Sequence, residues 1–226
     1  MNQRITNLRT KMKAQDLKAV LINNLKNVYY LTGFWGSNGT VLVTEERVVL
    51  FTDSRYTIHA HATCFPFVEI VETRNELEEA AKIVKDAAIH ELGFEDEITV
   101  AYQTRLATAF SGVSLRALSD FVMEFRLIKD ETEVATIRKA CSISDQAFLD
   151  VLEFIKVGQT TELEAATFLD FRMRELGASG VSFDIISAAG ERSAMPHATP
   201  SDRIISAGDA LTLDFGCLYN HYVSDM

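Results

Sequence analysis

The 226-residue chain is poor in the residues that cross-link or stiffen small proteins, with three Cys, three Pro and a single Trp. Cys64, Cys141 and Cys217 are odd in number, far apart and never spaced as CxxC. That pattern argues against both a disulfide framework and a thiolate metal site, and each reads as a small hydrophobe. Positive charge is scarce too: 22 basic residues face 32 acidic ones, for a net charge of −10, and no Lys or Arg stripe forms. Nucleic acid and anionic membrane surfaces are therefore disfavoured partners. The longest apolar runs, Ala19 to Ile22 and Val48 to Phe51, are strand-sized, far below the roughly 20 residues of a membrane span. The opening MNQRITNLRTKMKAQ lacks an apolar stretch after its basic residues, so it does not read as a secretory signal, and a cytoplasmic protein is expected. Internal repeats and low-complexity tracts are also missing, which leaves a globular chain.

The composition that remains is ordinary, 47% hydrophobic and 24% charged. The length exceeds one typical domain and falls short of two, so one complete and one partial domain are expected. Ile5, Leu8 and Met12 recur at helical spacing, and KAVLIN (Lys18 to Asn23) has the continuity of a buried strand. A short helical piece from Asn27 to Leu31 and a turn at Gly33, Gly36 and Gly39 come next. TVLVT and RVVLFT then read as a hairpin joined through Glu45 and Glu46. Thr52, Asp53 and Ser54 are candidate caps for a helix running to about His61, and Trp35 reads as a core or interface aromatic. A strand near Phe67 to Val71, a helix from about Asn75 to His90 and weaker segments up to Glu124 complete an α/β domain over residues 1–128.

Character changes near residue 130. Acidic residues open RLIKDETEVATIRKACSISDQAFLDVLEFI, and Val134, Ile137, Ala140, Ile143 and Ala147 recur at helical spacing. A second helix follows Gly158, with Thr160 or Thr161 as its cap and Glu164 placed for a capping box with Thr161. From Ser182 the period becomes two, through FDIISAAG, DALTLDFG and HYVSDM. The second domain, residues 129–226, thus opens with two helices and turns to antiparallel strands.

In DALTLDFG, Leu211, Leu213 and Phe215 share one face and leave Thr212 and Asp214 on the other. A two-residue turn at Tyr219 and Asn220 would set Leu218 against His221, Gly216 against Val223 and Asp214 against Asp225. Directly opposed carboxylates, with Cβ atoms about 4.5–5.5 Å apart, repel each other unless a cation lies between them. With further carboxylates and a His, they make a hard site suited to Mn, Co or Zn. By themselves, two aspartates on a hairpin read first as a solvated face. His197 in RSAMPHATP, 17 residues before Asp214, reads by itself as surface.

Taken together, FDIISAAGERSAMPHATPSDRIISAGDALTLDFGCLYNHYVSDM resembles the metal-dependent Xaa-Pro peptidases, the aminopeptidase P and prolidase family with the pita-bread fold. The matching parts are the small-residue turn from Ser187 to Gly190, Pro196 with His197, Gly208 with Asp209, Asp214 in LDFG and Asp225 in SDM. NNLKNVYYLTGFWGSNGTVLVT and VVLFTDSRY resemble the creatinase-like N-terminal domain of these enzymes, and LIKDETEVATIRKA resembles their domain junction. The resemblance implies an α/β creatinase-like N-terminal domain, followed by the first part of an α+β pita-bread catalytic domain. It implies two divalent metal ions, Mn first with Co or Zn as alternatives, held in part by Asp214 and Asp225. His197 would stand beside the substrate, moving a proton or holding the scissile carbonyl. The reaction implied is hydrolysis of the bond before proline in peptides or dipeptides, by a homodimer. Ala198 and His221 stand where the family often has Gly.

The family's remaining ligands, a His and two Glu, have no counterpart among these residues, so two of five ligands are expected here. The chain by itself is then expected to be inactive and to hold no metal stably, with Asp225 fraying at the end and apolar helix faces uncovered. Two other readings stay open. One is a non-catalytic dimerisation or binding module of the creatinase-like fold. The other is a metal-free creatine hydrolase, against which the two aspartates count.

Overall fold

The computed structural model describes residues 3–226, and the chain forms two compact units, Met1–Ile128 and Lys129–Met226. In the first, the order is α1 (Gln3–Ala14), β1 (Ala19–Ile22), α2 (Leu25–Thr32), β2 (Thr40–Thr44), β3 (Val48–Thr52), α3 (Thr57–Thr63), β4 (Glu69–Glu72), α4 (Glu76–Asp86), β5 (Glu91–Glu95), α5 (Val100–Ala109), β6 (Ser114–Leu118) and α6 (Met123–Leu127). Six strands make one mixed sheet in the order β4-β3-β2-β1-β5-β6. Its centre reads as continuous apolar sequence because both faces are covered. Val20 and Ile22 of β1 join Ile5, Leu8, Met12, Val28 and Leu31 of α1 and α2 on one side. Ala19 and Leu21 join Leu77, Ala80, Val84 and Leu106 of α4 and α5 on the other. Strand alternation thus divides a single apolar run between two helix layers. The Glu45 and Glu46 turn forms as expected, with Thr44 N–H donating to Arg47 O at 2.9 Å and the Thr44 hydroxyl accepting from Arg47 N at 3.0 Å.

Asp53 departs from the expected role. Helix α3 begins four residues later and has no side-chain cap. Asp53 instead accepts from Arg55 N at 3.0 Å, from Arg55 Nε and Nη2 at 2.9 and 2.8 Å, and from Asn38 Nδ2 at 2.7 Å. A short Asx turn has taken the place of a cap, and it ties the glycine-rich loop to the end of β3. Trp35 is not core either; it is about two-fifths exposed and stands edge-on to Tyr29 at 6.1 Å.

The second unit runs α7 (Glu131–Phe154), α8 (Glu162–Glu175), β7 (Gly180–Val181), β8 (Ile186–Ala189), β9 (Leu211–Asp214), β10 (Cys217–Tyr219) and β11 (Tyr222–Val223). Both helices open with capping boxes, Asp130 with Glu133 and Thr161 with Glu164. Ala140, Ala147 and Ala165 let α7 and α8 approach closely, and Ile143, Val151, Leu169 and Met173 fill the space against Phe215 and Cys217. The inner helix faces are therefore packed, whereas Leu149, Leu152 and Phe171 on the outer faces stay more than half exposed.

The ion pair with Arg55, and then the Asn38 bond, hold the Asp53 carboxyl well below its usual range. A depressed folded-state pKa adds stability above the unfolded value and loses it as pH falls through the folded one. The first unit should therefore lose denaturant resistance on acidification below about pH 4, and Asp53→Asn should lose less over that range. Urea midpoints at neutral and acid pH measure the difference.

Candidate active site

Two short sheets carry the candidate residues. Strands β8 and β9 pair antiparallel, with Ile186 opposite Asp214 and Ser187 opposite Leu213. Strand β10 lies between β7 and β11. Leu211, Leu213, Phe215, Cys217 and Tyr219 all belong to the core of this unit, so Asp214 and Gly216 face the other way. On the facing segment, Ser224 is buried: its hydroxyl lies 2.7 Å from Ser144 Oγ on α7 and accepts from Cys217 N at 2.9 Å. Asp225 therefore points away from the core, toward the face that carries Asp214.

The register differs from the sequence expectation. Leu218 pairs with Val223 and Tyr219 with Tyr222, and Phe215 and Met226 exchange two backbone hydrogen bonds of 3.0 Å. The turn is Asn220 with His221, at φ 44° and 69°, as the left-handed positions of a type I′ hairpin turn require. Asn tolerates that region better than Tyr, which is why the turn sits one residue later. Gly216, not Asp214, then faces Asp225. The two aspartates are diagonal neighbours on one face, on the order of 7 Å apart. At that separation two unit charges in water repel by about 0.6 kcal/mol, so folding alone does not demand a counter-ion. The expected fraying is also corrected, because Ser224 and Met226 are both tied down on either side of Asp225.

Gly216 marks a close approach. A Cβ there would overlap the carbonyl oxygen of Ser224 and the Oγ of Ser182. The Ser182 hydroxyl is itself buried without a hydrogen-bond partner. Two carboxylates and an orphaned hydroxyl on one strand face suit part of a divalent-cation site built from hard oxygen donors. Among the described residues no three His, Cys, Asp or Glu side chains form a metal-binding group, so His197 is not gathered with the aspartates into one cluster.

His197 lies on the chain between β8 and β9. A 3-10 turn, Gly190–Ala194, opens that loop. Pro196 and His197 are exposed, while the next residue, Ala198, is buried. The Thr212 hydroxyl, on the strand that ends at Asp214, donates to Ser193 O at 3.3 Å. Arg203 holds Asp209 at 2.6 and 3.1 Å and keeps its carboxyl below the usual range. Sequence reasoning missed the fully buried Glu162 at the start of α8, which reaches this loop. Its only signal was a carboxylate directly after a Thr cap.

Residues 4–128 match the Creatinase/Prolidase N-terminal domain and residues 135–226 match Metallopeptidase family M24. The chain is 36% identical to the uncharacterized peptidase YqhT of Bacillus subtilis, over 99% of its own length and 63% of the relative's. It superposes on the Xaa-Pro dipeptidase from Bacillus anthracis with a TM-score of 0.92 at 36% identity, covering 99% of this chain and 62% of that one. For the X-Pro aminopeptidase from Thermotoga maritima the TM-score is 0.87 at 34% identity, covering 98% and 63%. The chain belongs to the Xaa-Pro peptidase family, with a creatinase-like N-terminal domain and the N-terminal part of the M24 catalytic domain. It spans a little under two thirds of the relatives' length. Among the described residues no helix is long and apolar enough to cross a membrane.

One substitution tests the hairpin. Gly216→Ala should cost about 2 kcal/mol through overpacking and speed amide exchange at Ser224 to Met226.

Proposed function

We propose that the protein is an Xaa-Pro peptidase of the prolidase or aminopeptidase P type, hydrolysing the bond before proline in dipeptides or longer peptides with two divalent cations, Mn, Co or Zn. The observation that carries this reading is the shared outward face of Asp214 and Asp225, on strands whose inner face is locked into the core. In this reading residues 1–128 are the creatinase-like domain and residues 129–226 the first half of the catalytic domain. Asp214 and Asp225 hold cations, which when bound supply Lewis-acid polarisation and an activated water.

The chain's own residues set geometry and move protons. Backbone pairing from Phe215 to Met226 presents both carboxylates from rigid strands, which positions ligands better than loops do. His197, exposed beside the buried Ala198, offers an imidazole that can hold the scissile carbonyl oxygen or protonate the leaving nitrogen. Residues 1–226 supply two of the five ligands that the family resemblance implies. A polypeptide limited to them is therefore inactive and does not retain metal.

A protein whose M24 region continues past residue 226, loaded with Mn²⁺, should cleave an Xaa-Pro dipeptide and stop on chelation. Asp214→Asn or Asp225→Asn should each lower kcat/KM by at least about 10³-fold, and the 226-residue polypeptide should show no turnover. Cleavage by the short polypeptide, or full activity in either variant, contradicts the proposal.

A further inference from the structure

Glu162 is a carboxylate with no exposed surface, and both of its oxygens are spent on the loop that carries His197. Oε1 accepts from Ala189 N at 2.8 Å, where the loop leaves β8. Oε2 accepts from Ser201 N at 3.1 Å and Ser201 Oγ at 2.6 Å, where the loop returns. Arg192 Nε sits 3.2 and 3.0 Å from the two oxygens, and Arg192 Nη2 reaches across to Thr199 O at 2.6 Å. The backbone of α8 repeats the grip, Glu162 N donating to Arg203 O and Leu163 N to Ser201 O, both at 3.0 Å.

One buried carboxylate therefore joins the two ends of the segment between Ala189 and Ser201. Burying a charge is costly unless it is paired and fully hydrogen-bonded, and here every donor comes from that one loop. Gly190 is part of the same closure: its φ is +59°, and a Cβ there would run into Arg203 and Asp209. The donors outweigh the burial, which by itself would raise the Glu162 pKa, and leave it below its usual value. The clamp is thus charged at neutral pH.

We propose that Glu162 is a positioning residue for His197: it holds the histidine loop in one conformation beside the strand that ends at Asp214. This rests on the Xaa-Pro peptidase reading. A simple packing role would be served by a neutral isostere. The clamp would not, because the amide of a glutamine turns a donor toward the N–H groups of Arg192, Ala189 or Ser201.

Two measurements on different forms keep the outcomes separate. In the 226-residue chain, Glu162→Gln should speed amide exchange over residues 190–201 about tenfold or more and shift the His197 ring resonances, while the buried amides of α7 stay protected. Arg192→Gln, the milder variant should the first fail to fold, should act in the same direction but less. Unchanged exchange and unchanged His197 resonances in Glu162→Gln, or in Arg192→Gln where Glu162→Gln does not fold, overturn the proposal. In the protein with the complete M24 region, Glu162→Gln should lower kcat about 10- to 100-fold with metal content intact. It should add nothing to the loss caused by His197→Ala. Losses that multiply in the double variant overturn the positioning role while leaving the peptidase reading untouched. Absence of Xaa-Pro cleavage in the unmutated protein sinks that reading, and the exchange measurement then decides the clamp alone.

Discussion

Backbone pairing between Phe215 and Met226, with Ser224 buried beside it, decides where both aspartates point. A slip of one residue would turn Asp225 inward among Phe215, Ile143 and Ala147, and an unpaired carboxylate in such surroundings is too costly to persist. It would also leave Ser144 without Ser224, a loss of about 1–3 kcal/mol for a buried hydroxyl. A slip of two residues keeps the faces but moves the turn onto Tyr219, which resists the left-handed backbone. Core burial therefore chooses the face, and turn chemistry chooses the register within it.

The histidine loop follows a different logic. Strands hold Asp214 and Asp225 through main-chain bonds, whereas the residues around His197 are held by side chains reaching from a helix: Glu162 through Ala189, Arg192 and Ser201. Thr212 links the two parts by its bond to Ser193. A candidate ligand pair on strands and a candidate proton carrier on a clamped loop match the different tolerances of the two roles. Ligand geometry must be set closely, while a group that approaches substrate needs exposure.

Much of this was legible from sequence where one strong rule governed. The Thr161 and Glu164 capping box, the Glu45 and Glu46 turn and the α7 helix are local signals, and each formed as read, although of the apolar period in α7 only Ala140, Ile143 and Ala147 are buried and Val134 is exposed. The burial of Leu211, Leu213 and Phe215 on one face was equally clear from alternation. The hairpin register is harder to read because Tyr219-Asn220 and Asn220-His221 both contain the Asn that favours a turn and both keep Ser224 on the core face; they differ only in whether Tyr219 or His221 takes the other left-handed position. Asp53 was misread for the same kind of reason, since an Asx turn and a helix cap use the same residue type. Glu162 was invisible because its partners lie 27 to 39 residues away, beyond any local pattern.

Asp214 and Asp225 share a face as diagonal neighbours, and cross-strand NOEs between α-protons in the 226-residue chain test this placement most directly. The structure predicts strong contacts between Gly216 and Asp225 and between Leu218 and Val223, the non-hydrogen-bonded pairs of this register. Contacts between Phe215 and Ser224 and between Cys217 and Tyr222 instead would place the aspartates directly opposite each other and contradict it.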